Sequence, residues 1–281
     1  MSDIRPSVFA RVEMSAKVLT ITRTCRRDTQ RIRAAETAPP TPMTEISKTA
    51  DQALAILQKV SESQPCTPAQ LSRDLGLNRT VVHRLLATLH QRGFVIRQGG
   101  GYAPGTMLLR LAEQVQPELT THGRAATLQL SEAIGETVVI HIRDGDDAVV
   151  LLQAVSDQHV VRVEHKIGSR HSLLAGASGR AILAFLDEKA AKRITGRVED
   201  AAAARRQLEG VRQLGYASSH EELQQGVEGI AVPILDENEH ALASMAVLVP
   251  VSRTGTVTQF MDALLEAGAK LSATLRHSSI A

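Results

Sequence analysis

The chain has 281 residues, 43% of them apolar, so one or two domains with packed cores are within reach, but aromatic residues make up only 2% and Trp is absent. That scarcity argues against single-strand nucleic-acid binding on aromatic platforms, two distant cysteines without a CxxC argue against a disulfide framework or a cysteine zinc site and fit a reducing cytoplasm, and no run of about 20 apolar residues or apolar leader segment is present. The net charge of +2 is unevenly spread: residues 1–42 carry eight basic and four acidic side chains, 47–104 carry seven and three, and 105–281 carry 17 and 22. A basic N-terminal portion on a mildly acidic remainder suggests one end for nucleic acid and another for a different partner.

Residues 1–46 read as a disordered basic arm ending in Ala38-Pro39-Pro40-Thr41-Pro42, with Met43 as an alternative start. From Thr49 a helical period begins, with Ala50, Ala53, Leu54, Leu57 and Val60 on one face. Thr67-Pro68 has the form of an N-cap followed by proline, opening a short helix with Leu71 and Leu75 inward and Gly76 after its end. Asn78 caps a third helix whose apolar stripe is Val82, Leu85, Leu86 and Leu89, closed by Gly93. Phe94–Arg97, a glycine turn and Tyr102 form a hairpin. Helix, helix, glycine turn, helix and hairpin is the order of a winged helix-turn-helix over 47–104.

Helical patterns return over 105–134, with an interruption at Pro117. Residues 105–124 are expected to be a linker or dimerisation helix and 125–281 a second domain. In that domain Thr137–Arg143, Ala148–Ala154, His159–Glu164, Val227–Leu235 and Ala241–Val249 read as strands, and 176–186, 188–194, 201–214 and 257–276 as helices. The chain is therefore expected to be α+β with a largely antiparallel sheet.

With its apolar stripe inward, the third helix turns Arg79, Thr80, His83 and Arg84 outward near its N-cap Asn78, and Arg97 stands on the hairpin. Such a face can read base edges in a major groove. Arg92 and Lys59 are candidates for phosphate contacts. In the second domain, Gly176–Gly179 opens a helix whose backbone N–H groups could hold an anion, or that simply packs closely on a strand. No catalytic set is evident. Glu221 and Glu222 should not converge, Ser178 lacks the second glycine of a nucleophile elbow, and His159, His165 and His171 read as scattered histidines, not a metal site. No Walker or dinucleotide fingerprint, and so no cofactor, is indicated.

The residues Leu75-Gly76-Leu77-Asn78-Arg79-Thr80-Val81-Val82-His83-Arg84-Leu85-Leu86 and Gly101-Tyr102-Ala103-Pro104-Gly105 resemble the IclR family of regulators. So do Ile167-Gly168-Ser169-Arg170 with Ala175–Ala181, Arg212–Tyr216, Glu221–Ala231 and Pro250-Val251-Ser252-Arg253. The resemblance implies a GAF-like effector domain, a homodimer or tetramer on double-stranded operator DNA, and control of a catabolic operon, with repression relieved by ligand as the expected sign. It implies effector contacts at Ala177 and Ser178 and, aligned without gaps, at Ser219, Val227, Gly229, Ala246 and Leu248. Several polar groups of the family's pattern are missing there. A larger, partly apolar carboxylate, such as an aromatic one, is therefore expected to fit better than a two- or three-carbon oxo acid. The alternatives are an effector-dependent activator, an enzyme fused to a DNA-binding module, and a ligand-independent architectural DNA binder.

Overall fold

The computed structural model describes residues 46–62, 65–253 and 257–278. The expected N-terminal arm, apart from Ile46, lies outside them. The DNA-binding part is built from α1 (Lys48–Glu62), α2 (Pro68–Asp74), α3 (Arg79–Gln91) and the hairpin of β1 (Val95–Gln98) and β2 (Gly101–Pro104). Local chemistry sets its turns. The Thr67 side chain and Gln70 form a reciprocal capping box. Gly76 adopts φ +62°, which lets the chain turn tightly between α2 and α3. Asn78 Oδ1 then accepts the Thr80 N–H at 2.8 Å. Ile56, Val60, Leu71, Val82, Leu85, Leu86, Leu89, Val95 and Tyr102 close one small core. The expected face of α1 holds in part: Val60 is buried and Ala53 and Leu57 pack against that core, with Ile56 beside them, while Ala50 is exposed and Leu54 is 59% exposed. The buried stripe is the expected one turned by a fraction of a turn, so that Ile56 takes the place of Leu54.

The expected break at Pro117 is present. Helix α4 (Met107–Ala112) ends, Gln116 takes φ +48°, and α5 (Pro117–Ile134) starts with Pro117 in its first turn. The expected boundary at 124/125 falls inside α5, whose Leu119 and Leu130 join the core of the second domain. There β3 (Thr137–Asp144), β4 (Asp147–Ala154), β5 (Arg170–Ser172), β6 (Ala217–His220), β7 (Val227–Leu235) and β8 (Ala241–Pro250) form one sheet in the order β5-β4-β3-β8-β7-β6, every pair antiparallel. The sheet is sandwiched. Helices α5 and α9 (Met261–Ser278) cover one face through Val138, Ile140, Ile230, Val232, Met245 and Val247. Helices α6 (Gly176–Ala184), α7 (Glu188–Thr195) and α8 (Ala201–Leu214) build the other core with Ala217, Ala231 and Ala246.

A further expectation fails. His159–Glu164 forms no strand, and Val160 and Val161 are 100% and 62% exposed. The free edge of β4 pairs instead with Arg170–Ser172. Buried Glu136 anchors the far end of the sheet, accepting from Arg253 Nε and Nη2 at 2.7 and 2.8 Å. The turn after β3 is tied to α7 through Asp146, which binds Arg193 and Arg197.

Candidate nucleic-acid interface and effector site

Asn78, Arg79, Thr80, His83 and Arg84 are all exposed on the first turns of α3, with the buried stripe behind them. Arg97 is exposed on β1 and lies over the Tyr102 ring, 5.9 Å from its centroid. Among the described residues no acidic side chain pairs with Arg79, Arg84, Arg92 or Arg97. His83 and Arg97 border one concavity of about 460 Å³, together with Gly99 and Gly100 of the wing turn. Lys59 differs from the others, since Glu62 at 3.2 Å and Asp74 at 4.0 Å offset its charge. A basic, hydrogen-bonding helix face beside a wing can reach both base edges and phosphates.

The sheet register gathers five of the seven expected effector positions. Ser219 pairs with Gly229, Gly229 with Leu248, and Ala231 with Ala246, so these residues share one face of three adjacent strands, with Val227 two residues before Gly229. Ala177 and Ser178 lie in the buried first turn of α6 on that face. The N-cap residue of α6, Ala175, makes no side-chain cap. The Gly176 N–H donates to Glu222 Oε2 at 3.0 Å, while the N–H groups of Ala177 and Ser178 have no intrahelical partner by position. Close packing also occurs: a Cβ at Gly179 would sit 2.9 Å from the carbonyl oxygens of Ser172 and Leu173. The floor is apolar, with Val139, Val150, Val163, Leu248 and Val227 in contact.

Glu222 does more here than its sequence position suggests. It lies in the bend after β6, not on a strand. Its carboxylate takes both terminal nitrogens of the buried Arg180, at 2.5 and 2.7 Å, and Arg180 also donates to the Ser218 carbonyl. Burial alone would raise the Glu222 carboxyl, but Arg180 and the Gly176 N–H outweigh it and hold the group below its ordinary value. Glu221 serves other partners, accepting the Gly226 N–H at 2.6 Å. As expected, the two carboxylates do not act as a pair. Leu223, next in the chain, closes over the helix start: a Cβ on Gly176 would lie 2.5 Å from its Cδ1. The site is thus filled by its own side chains. Cavities of about 620 Å³ between α5 and α9 and about 500 Å³ between α4 and β4 lie elsewhere. The convergent polar groups, not the volume, mark the α6 site.

The histidines require a correction. His165 and His171 are not scattered. They flank His141, a residue absent from the sequence reading, with ring centroids 6.2 and 5.2 Å from it. His141 is 1% exposed. Burial, first, and the neighbouring imidazoles push it well below its ordinary value; burial likewise lowers His165 and His171. Among the described residues, no group of three or more His, Cys, Asp or Glu is arranged to hold a metal ion, and no helix is long and apolar enough to cross a membrane.

Known proteins share this architecture. The IclR helix-turn-helix domain profile matches residues 49–99, and that of the bacterial transcriptional regulator IclR C-terminal domain matches 115–273. The probable transcriptional regulator SauR of Cupriavidus necator is 31% identical over 227 residues, covering 75% of this chain and 88% of that protein. The crystal structure of an IclR transcriptional regulator from Alicyclobacillus acidocaldarius superposes with a TM-score of 0.70 at 26% identity, over 82% of this chain and 99% of that one. An IclR homologue from Microbacterium hydrocarbonoxydans, complexed with 4-hydroxybenzoate, shares the fold with a TM-score of 0.71 at 19% identity, over 82% and 99% of the two chains. The winged α3 face, the all-antiparallel sheet under α6 and these matches agree: the chain belongs to the IclR family of DNA-binding transcriptional regulators.

Proposed function

We propose that the protein is a ligand-released repressor of a catabolic operon, and not an enzyme. Its α3 would read operator DNA through Arg79, Thr80, His83 and Arg84, with Asn78 holding the helix start and Arg97 on a phosphate. Its effector would be a small, partly apolar carboxylate, aromatic in the simplest case, bound at Ala177 and Ser178 over Ser219, Val227, Gly229, Ala246 and Leu248. The observation that carries this reading is the first turn of α6, where Ala175 supplies no side-chain cap and Glu222 takes only the Gly176 N–H, facing an apolar floor. That site offers an anion backbone N–H donors and offers the rest of the ligand aliphatic walls. The 4-hydroxybenzoate bound by the Microbacterium homologue belongs to the same chemical class.

A dimer or higher homo-oligomer fits the surface of α4. Its sequence is Met-Leu-Leu-Arg-Leu-Ala, yet none of its residues is buried, and Leu109 and Leu111 are exposed. The reading is tested by fluorescence anisotropy of the full chain on DNA from upstream of its own gene, at fixed salt, with benzoate, hydroxybenzoates and short aliphatic acids added. Sequence-specific binding weakened by one carboxylate supports it. Binding strengthened by the ligand makes the protein an activator, and sequence-blind binding indifferent to every acid refutes the effector-gated reading.

A further inference from the structure

Four buried side-chain atoms among the described residues have no hydrogen-bond partner: both ring nitrogens of His141, Nε2 of His171 and Oγ of Ser244. Burying such an atom without a partner is costly, so their clustering calls for an explanation. Ser244 lies directly opposite His141 in the β3–β8 register. The His171 ring packs against that of His141, and its Cε1 is 3.8 Å from where a Cβ of Gly176 would stand. The orphans therefore adjoin the start of α6, one register row beyond Val139 and Ala246.

We propose that His141, His171 and Ser244 form a hydroxyl-recognition subsite of the effector pocket, so that the effector is a hydroxycarboxylate and not a plain carboxylate. This rests on the carboxylate site at Ala177 and Ser178. The donor pattern dictates the chemistry. His171 Nδ1 lies 3.1 Å from the Ser172 carbonyl oxygen, which can only accept, so Nδ1 carries the proton and Nε2 is a bare acceptor. A carboxylate or ketone has no proton to give it. Neutral His141 supplies one donor and one acceptor, and Ser244 supplies both. A hydroxyl that donates to His171 Nε2 and accepts from the His141 N–H and the Ser244 hydroxyl meets three of the four orphaned atoms.

The test is calorimetric titration of the full chain at neutral pH with the three hydroxybenzoates against benzoate and with lactate against propionate. At least one hydroxy acid is expected to bind tenfold or more tightly than its deoxy partner. His141→Leu should erase that preference, keep the deoxy affinity, and leave the melting temperature unchanged or raised, because it removes polar atoms that have no partner. Ser244→Ala, a smaller change, should reduce the preference. Equal binding of every hydroxy and deoxy pair overturns the subsite and leaves the carboxylate site standing. A preference retained in both variants, or a melting temperature lowered by several degrees in both, also overturns it. No binding by any acid overturns the carboxylate site and this subsite together.

Discussion

Removing the Glu222 carboxylate should cost more than removing the Arg180 guanidinium it holds. The Arg180 side chain is 5% exposed and that of Glu222 35%. Glu222→Ala leaves a cation in the interior with only the Ser218 carbonyl to meet it. Breaking a buried pair in this way costs roughly 3–5 kcal/mol. Water already reaches Glu222 and screens part of the interaction, which lowers the expectation to about 2–3 kcal/mol, and loss of the Gly176 N–H contact adds to it. For a domain of this size that is roughly 4–12 °C of melting temperature. Arg180→Met leaves a carboxylate that can rehydrate, so about 1–2 kcal/mol is expected. The double variant should be less destabilised than the sum of the two. Thermal and urea melts of all four proteins complete the cycle. If Glu222→Ala is no worse than Arg180→Met, or if the effects simply add within about 0.5 kcal/mol, the pair does not hold the helix start as described.

Arg84→Ala should weaken operator binding by about 1–3 kcal/mol and relax specificity at one base, whereas Arg97→Ala should weaken all sequences alike and reduce the salt slope by about one; anisotropy titrations at two salt concentrations distinguish them, and unchanged values for Arg84→Ala remove it from the interface. Ala177→Trp, which fills the space over the first turn of α6, should block the effector response without altering ligand-free DNA binding, and a variant that still responds normally would place the pocket elsewhere. The lowered imidazoles set an acid limit. His141, His165 and His171 all lie below the ordinary 6.5 in the fold, with burial the leading cause. Above that pH they are neutral in both states. Below it the unfolded chain takes up protons that the folded chain refuses, so stability should fall as pH drops from about 6.5 toward 5, by at most about 1.4 kcal/mol per pH unit for each group. His141→Leu should flatten that slope in melts across the range, and an unchanged slope would place the acid sensitivity elsewhere.

What the sequence made legible was local chemistry. Thr67-Pro68, Gly76 and Asn78 act within a turn of themselves, so the helix-turn-helix could be placed to within a residue or two. The seven effector positions come from the family resemblance; the register brings five of them to one sheet face, and α6 sets Ala177 and Ser178 against it. The failures are non-local. Arg170–Ser172 and Ala217–His220 are short, polar edge strands that propensity does not flag. Val160-Val161 has strand propensity but no edge to join. His141 sits in the apolar run Val138–Ile142, and nothing in that run shows that His165, from a segment without regular structure, and His171, from the short strand β5, will close on it. The six-residue spacing of the later histidines was the only trace.

The charge balance at α6 limits what the proposed effector can be. Arg180 is committed to Glu222, and the Gly176 N–H is committed as well. The positive pole left for an anion is the pair of N–H groups at Ala177 and Ser178. A helix start supplies up to about 2 kcal/mol in a buried geometry, while desolvating a carboxylate costs several. Electrostatics alone therefore leaves a small acid unbound. The deficit must be offset by apolar contact with Val139, Val150, Val163, Val227 and Leu248. An aromatic ring burying about 150–250 Å² gains roughly 4–6 kcal/mol at 25 cal/mol per Å², which turns the sum favourable. Acetate and glyoxylate, with almost no apolar surface to bury, should fail to shift DNA binding at concentrations where an aromatic acid saturates it. Equal potency of acetate would mean that anion capture, not the aliphatic floor, supplies the affinity.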